Sequence, residues 1–204
     1  MTTVYLIRHS EGFREFQGEM LTSDSVQIIN EKNPLSVHGE KLAELVSRKN
    51  KFKKIDVVWS SNYVRAISTA KYFAFNNNLK VNIDERLRER VQGINAWNEL
   101  PKDFEEKQFY NENYKIGFGE CQKEVRKRME DAFFEILDNN KNKSIAIISH
   151  ATAITFLLMK WCNVNYNSNY YFNNKLFFNG KWDYCTSFKL TFDGKKMLDI
   201  IQVN

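Results

Sequence analysis

The chain has few of the residues that staple or break a fold. Its three cysteines, Cys121, Cys162 and Cys185, are odd in number, far apart and outside any CxxC pair. That excludes a disulfide framework and a zinc knuckle, and the thiols are expected to be reduced. Only 2 prolines and 8 glycines occur among 204 residues, and neither collagen-like nor disorder-type bias is present. No apolar run reaches the roughly 18 residues needed to span a bilayer. The start, MTTVYLIRHS, lacks the basic-then-apolar order of a signal peptide, so a cytoplasmic protein with no membrane partner is expected. Charge of one sign is not concentrated either. The net +5 arises from 30 Lys and Arg scattered among 25 Asp and Glu, without the interleaved basic and aromatic residues of a nucleic-acid surface. No nucleic acid is expected as partner, whereas a small anionic substrate fits.

A chain of 204 residues suffices for one substantial core, so a single domain over 1–204 is expected. Val4-Tyr5-Leu6-Ile7 ends abruptly at Arg8-His9-Ser10, and Ile145-Ala146-Ile147-Ile148 ends at Ser149-His150. Both read as buried parallel strands opening into polar loops. Ile55 to Trp59 and Leu79 to Ile83 are further strands, and Ser187 to Phe192 with Met197 to Val203 forms a hairpin about Asp193-Gly194. Helical spacing fills the gaps. His38 to Asn50 carries Leu42, Leu45 and Val46; Asn62 is placed to cap a helix bearing Ala66, Ala70 and Phe73. A stripe of Val125, Met129, Ala132, Phe133, Ile136 and Leu137 marks a helix over about 120–138, and Ala153 to Met159 reads as another, largely buried. The irregular stretch 163–179 is expected to form loops, and Arg126-Lys127-Arg128 to lie on exposed helix surface. This alternation predicts an α/β three-layer sandwich, a mainly parallel sheet flanked by helices.

Such sheets place chemistry at the carboxyl ends of strands, and two of the three histidines, His9 and His150, fall there. Arg8 precedes His9, and Arg65 begins the helix after the strand end Ser60-Ser61. Two guanidiniums and two imidazoles around one crevice make a site for a phosphoryl dianion, because the planar fork of Arg donates paired hydrogen bonds.

Leu6-Ile7-Arg8-His9-Ser10-Glu11 resembles the RHG motif of the histidine phosphatase superfamily, also called phosphoglycerate-mutase-like. Pro34-Leu35-Ser36 with Gly39 is similar to its PLT-x-x-G helix start, and Ser60-Ser61-Asn62-Tyr63-Val64-Arg65-Ala66 with Thr69-Ala70 to its S-S-x-x-x-R-A-x-x-T-A segment. Leu87-Arg88-Glu89 resembles its acid motif, Gly119-Glu120 a helix start, and Ser149-His150-Ala151 the second-histidine motif. The resemblance covers about residues 3–160. It implies a phosphoglycerate-mutase-like fold with His9 as nucleophile, Arg8, Arg65 and His150 binding phosphate, and Glu89 as proton donor. Glu85 and Glu11 are competitors for the acid. No metal and no other cofactor is implied, and the partner is a small phosphorylated substrate.

Ser10 and Ala151 stand where the family usually has glycine, and Glu15 where many members carry asparagine. Gly93 and Trp97 resemble a G-x-W-E-G stretch with wider spacing. A cap segment over about 93–118, holding Trp97, Phe104, Phe109, Tyr110, Tyr114 and Phe118, either covers the pocket or simply packs. The expected reaction is phosphomonoester hydrolysis through phosphohistidine. The alternatives are a phosphoglycerate mutase, generally a longer chain, and an inactive phosphate-binding module. The absence of HxH, HExxH or DxH spacing argues against a two-histidine metal hydrolase. Oligomeric state is not legible.

Overall fold

A computed structural model describes residues 1–13 and 25–204; Glu15 lies outside the described residues. In chain order these form β1 (Thr2–Arg8), α1 (Val26–Lys32), α2 (Val37–Ser47), β2 (Val57–Ser60), α3 (Val64–Asn76), β3 (Val81–Ile83), α4 (Phe104–Tyr110), α5 (Gln122–Asn139) and β4 (Ser144–Ser149). Then follow α6 (Ala151–Leu158), β5 (Asn163–Val164), β6 (Tyr170–Phe172), β7 (Lys175–Phe178), β8 (Ser187–Asp193) and β9 (Lys196–Gln202). None of the described helices is long and apolar enough to cross a membrane.

The main sheet has the order β3-β2-β4-β1-β8-β9. The first four strands are mutually parallel, and β8 and β9 are antiparallel additions at one edge. The continuous apolar runs of β1 and β4 follow from this, since a central parallel strand is covered on both faces. Side chains alternate along a strand, so Val4 and Leu6, with Ile145 and Ile147, meet Val125, Met129 and Phe133 of α5 and Ile154 and Leu157 of α6. Tyr5, Ile7, Ala146 and Ile148 face the other way, onto Val46 of α2 and Ala66, Ala70 and Phe73 of α3. The result is the three-layer α/β arrangement, with a core on either side of the sheet.

Several local expectations are corrected. Leu45 points to solvent at 66% exposure, because the inward stripe of α2 runs through Ala43 and Val46. Ser36 caps α2, its hydroxyl accepting from the Gly39 amide. Asn62 does not cap α3; Tyr63 holds the N-cap position, and the Tyr63 amide donates to Ser61 Oγ. The 163–179 stretch is not loop: β5, β6 and β7 pair as a small antiparallel sheet whose Tyr170 and Phe178 are buried in the core. Its turns use Asn167, Asn173 and Asn174 at positive φ, a conformation asparagine tolerates, which is why an Asn-rich stretch still forms strands. Arg128 is half-buried instead of solvated, for reasons given below. The short helices α1 and α4 carry no clear signal in the sequence, since one or two turns hold little periodicity.

Candidate active site

Two adjacent parallel strands set the centre of the site. β1 and β4 pair in register from Thr3 with Ser144 to Arg8 with Ser149, and the His9 amide donates to the Ser149 carbonyl at 2.9 Å. His9 and His150 therefore leave the sheet side by side, with ring centroids 5.0 Å apart. Arg65, the second residue of α3, reaches both. Its Nε donates to His9 Nε2 at 3.1 Å, and its Nη2 lies 3.3 Å from His150 Nδ1. Nη1 bonds the Asn30 carbonyl at 2.5 Å, which ties α1 to the site.

These contacts define the tautomers. His9 Nδ1 lies 2.6 Å from the Ser10 carbonyl, an acceptor only, so Nδ1 carries the proton and Nε2 is unprotonated, its lone pair accepting from Arg65. His150 Nδ1 faces a guanidinium donor, and its Nε2 donates to Ser61 Oγ at 2.8 Å. Burial, then the positive charges of Arg65 and Arg8, holds the His9 pKa well below the ordinary 6.5, against an opposing pull from the Ser10 carbonyl. Burial and Arg65 depress His150 in the same way. Both rings are neutral at physiological pH.

The loop after His9 is built by close approach. Ser10 donates its hydroxyl to the Gly39 carbonyl at 2.7 Å and its amide to Thr69 Oγ1 at 2.9 Å. A Cβ on Gly39 would stand 2.1 Å from the Glu11 carbonyl oxygen, so only glycine lets α2 begin here. Ser10 thus occupies its position as an anchor.

Glu89 arrives from the segment after β3. Its carboxylate accepts from the amides of Arg90 at 2.9 Å, Ala153 at 3.1 Å and Thr152 at 3.3 Å, sitting over the first turn of α6 just beyond His150. Arg128 fixes that segment from below. It donates to the carbonyls of Arg86 at 2.7 Å, Arg88 at 2.8 Å and Glu89 at 3.2 Å, while its Nε bonds Glu120 at 2.7 Å. Glu120 in turn accepts from the Val91 amide and from Arg88. A basic triplet on an amphipathic helix reads as surface because spacing does not reveal which residue lies beneath a loop.

Arg8, His9, Arg65 and Glu89 line one cavity of about 490 Å³, together with Arg90, Trp97, Glu105 and Tyr184. Arg8 stacks over Tyr184 at 4.8 Å and donates to the Trp182 carbonyl at 2.5 Å. His150 is fully buried behind Arg65 and forms no part of this wall. Glu85 is absent from the wall, and Glu11 bonds Ser36 and His38 at the start of α2. Sequence reasoning missed Arg90, buried beside Glu89, and the 182–184 segment. The mixed-charge run around Glu89 reads as solvated, and Trp182 to Tyr184 follows no recognisable pattern. No group of three or more His, Cys, Asp or Glu among the described residues is placed to hold a metal ion.

Fold and site together define an α/β protein with paired imidazoles and guanidiniums at the carboxyl ends of parallel strands. The chain matches the model of the histidine phosphatase superfamily (branch 1) over residues 4–195, and it belongs to that superfamily. It is similar to a probable phosphoglycerate mutase from Yersinia enterocolitica, 32% identical over 169 residues, which covers 78% of this chain and 74% of the relative. Among solved structures it resembles a mycobacterial glucosyl-3-phosphoglycerate phosphatase in complex with VO3, with a TM-score of 0.71 at 15% identity, covering 98% of this chain and 96% of the other. A phosphoserine phosphatase mutant from Entamoeba histolytica in complex with phosphoserine gives a TM-score of 0.68 at 19% identity, over 100% and 96% of the two chains. The fold is thus the phosphoglycerate-mutase-like one.

Proposed function

We propose that this chain is a metal-independent phosphomonoester hydrolase that carries the phosphoryl group on Nε2 of His9. The observation that bears most weight is the bond from His9 Nδ1 to the Ser10 carbonyl, which aims an unprotonated Nε2 at a cavity walled by Arg8, Arg65 and Glu89. Nε2 attacks phosphorus in line, the N–P bond forms as the ester P–O bond breaks, and the departing oxygen takes a proton from Glu89. Glu89 then accepts a proton from water as the water oxygen attacks phosphorus and the N–P bond returns its electrons to Nε2. Arg8 and Arg65 supply fixed positive charge to the phosphoryl oxygens, the task a metal performs elsewhere. As Arg65 turns its N–H groups from the imidazoles to those oxygens, His150 Nδ1 is released to share a proton with them.

The substrate is a small phosphorylated metabolite, in keeping with the cavity size. The 93–118 segment acts as a cap within a single 1–204 domain, with Trp97 and Glu105 on the pocket wall in support. Three buried free thiols suit the reducing cytosol.

A mutase reading is favoured by the name of the Yersinia relative. It needs cations for a second anionic group. Of the described cations on the wall, Arg8 and Arg65 serve the nucleophile, and Arg90 is paired with Glu105 at 2.6 Å. Hydrolysis fits this charge distribution better. An inactive binding module would have no use for a carboxylate held beside the nucleophile.

The test is phosphate release from simple monoesters in excess EDTA, with enzyme quenched during turnover carrying an acid-labile, base-stable phosphoryl group on His9. His9→Ala should lose at least about 10³-fold in rate. Strict dependence on added metal, label on another residue, or isomerisation of phosphoglycerate faster than its hydrolysis would each overturn the reading.

A further inference from the structure

The catalytic cavity has a neighbour. A second cavity of about 260 Å³ shares Arg90, Glu105, Ala151 and Thr152 with it. Thr152 also donates its amide to Glu89, so the two cavities border one another beside the proposed acid. In-line displacement puts the leaving group on the far side of phosphorus from His9, with its bridging oxygen at the acid. A group attached to that oxygen and directed past Glu89 and Thr152 would meet this annex.

Its walls are aromatic: Phe109, Phe156, Tyr166, Tyr170 and Trp182. Phe109 and Tyr166 lean together with centroids 5.2 Å apart. The polar tips are largely engaged inside the wall. Tyr170 Oη bonds Thr155 Oγ1 at 2.8 Å and accepts from Trp182 Nε1 at 3.2 Å, so both rings offer faces and edges rather than hydrogen bonds. The two charged groups on the wall, Arg90 and Glu105, form an ion pair at 2.6 Å, and Arg90 Nη1 bonds Thr152 Oγ1 at 3.2 Å. Arg90 is only 5% exposed, and a carboxylate on the substrate would have to displace Glu105 to gain it.

We propose that the annex binds the leaving-group alcohol and selects an uncharged, ring-bearing one, seated against Phe109 and Tyr166, over carboxylated ones. The inference rests on the hydrolase reading above and names its substrate class. A flat or puckered ring matches aromatic walls through its apolar faces, whereas an anion there meets Glu105 with no unpaired cation on the described wall.

The experiment compares kcat/KM for benzyl phosphate, ethyl phosphate, glucose 6-phosphate and phosphoserine in the intact protein. Benzyl and ethyl esters release alkoxides of similar basicity, so their ratio reports binding of the ring. A benzyl-to-ethyl or glucose-to-ethyl ratio of about 10 or more is expected, with phosphoserine below ethyl phosphate; which ring wins tells an aryl from a sugar alcohol. Tyr166→Ala and the milder Phe109→Leu should each pull the larger ratio down by about 3-fold or more. A ratio measured within one variant is insensitive to the fraction folded. Hydrolysis of all four esters with ratios near one, phosphoserine as the best substrate, or ratios unmoved in both variants would overturn the annex while leaving the hydrolase standing. No phosphate release from any ester would remove both.

Discussion

Arg65 donates Nε–H to Nε2 of His9 at 3.1 Å, so the lone pair proposed to attack phosphorus is held by the guanidinium proposed to bind the phosphoryl oxygens. In the proposed mechanism one group keeps the nucleophile aimed and then passes to the substrate. A lysine at this position keeps the charge and loses the fork. Arg65→Lys is therefore expected to lower kcat/KM by about 10²-fold or more, measured on p-nitrophenyl phosphate, a substrate that needs no acid. A loss under about 3-fold would show that charge alone suffices.

Glu89 is tested through the leaving group. An alkyl phosphate departs as a strongly basic alkoxide unless protonated, whereas p-nitrophenolate departs unaided, and general-acid help is worth roughly 10²- to 10⁴-fold where it is required. Glu89→Gln should damage glycerol phosphate hydrolysis far more than p-nitrophenyl phosphate hydrolysis, and Glu85→Gln neither. Equal losses on both esters would assign Glu89 to positioning, and a selective loss in Glu11→Gln would move the acid there.

Arg128 is not on the wall of the cavity that holds His9, yet it holds the backbone on which Glu89 rides. It and Glu120 form a pair only 11% and 14% exposed, so Arg128→Met strips three carbonyls of this donor and leaves the nearly buried carboxylate with only Arg88 and the Val91 amide. A loss of about 3 kcal/mol in unfolding free energy is expected. Arg128 acts as a positioning residue, and the kinetic readout separates that role from general softening. The variant should lose alkyl phosphate activity disproportionately, as Glu89→Gln does. A purely structural role would lower both esters in parallel.

Both histidines of the candidate site are depressed below the ordinary 6.5 by burial and by Arg65, and this sets a direction for stability against pH. Below 6.5 the unfolded chain takes up protons that the folded chain refuses, until the pH reaches the lowered folded values. The contribution is therefore complete above 6.5 and falls as pH drops, at roughly 1 kcal/mol per pH unit for each ring. Melting temperature should decline from pH 7 to pH 5, and less steeply in His9→Ala. Inorganic phosphate, binding only the folded site, should raise it at pH 7. An equally steep decline in the variant would place the responsible groups elsewhere.

The strands and the histidines they deliver were legible because the centres of β1 (Val4 to Ile7) and β4 (Ile145 to Ile148) are buried and apolar, ending where the chain meets the crevice. Glu89 was legible through its motif, not its surroundings: within Asp84 to Arg90 the charges look solvated, although Arg128 and α6 bury the segment's backbone contacts. Arg90 lies in the same run and stayed hidden for the same reason. The β5–β7 sheet was misread because asparagine at turns in left-handed backbone resembles the composition of irregular loops. Tyr184 and the Trp182 carbonyl reach Arg8 from a segment 174 residues away in sequence, a pairing that no local pattern encodes.

The in-register pairing of β1 with β4 carries one more consequence. His9 and His150 emerge together because Arg8 stands opposite Ser149 and side chains alternate with a period of two. Apolar exchanges within either strand leave that arithmetic intact. Inserting or deleting a single residue between Thr3 and His9, or between Ser144 and His150, reverses the face on which one imidazole emerges. These two stretches should therefore tolerate changes of letter but no change of length, whereas the Asp193-Gly194 hairpin tip, where a Cβ on Gly194 would meet nothing within 4 Å, has room to lengthen.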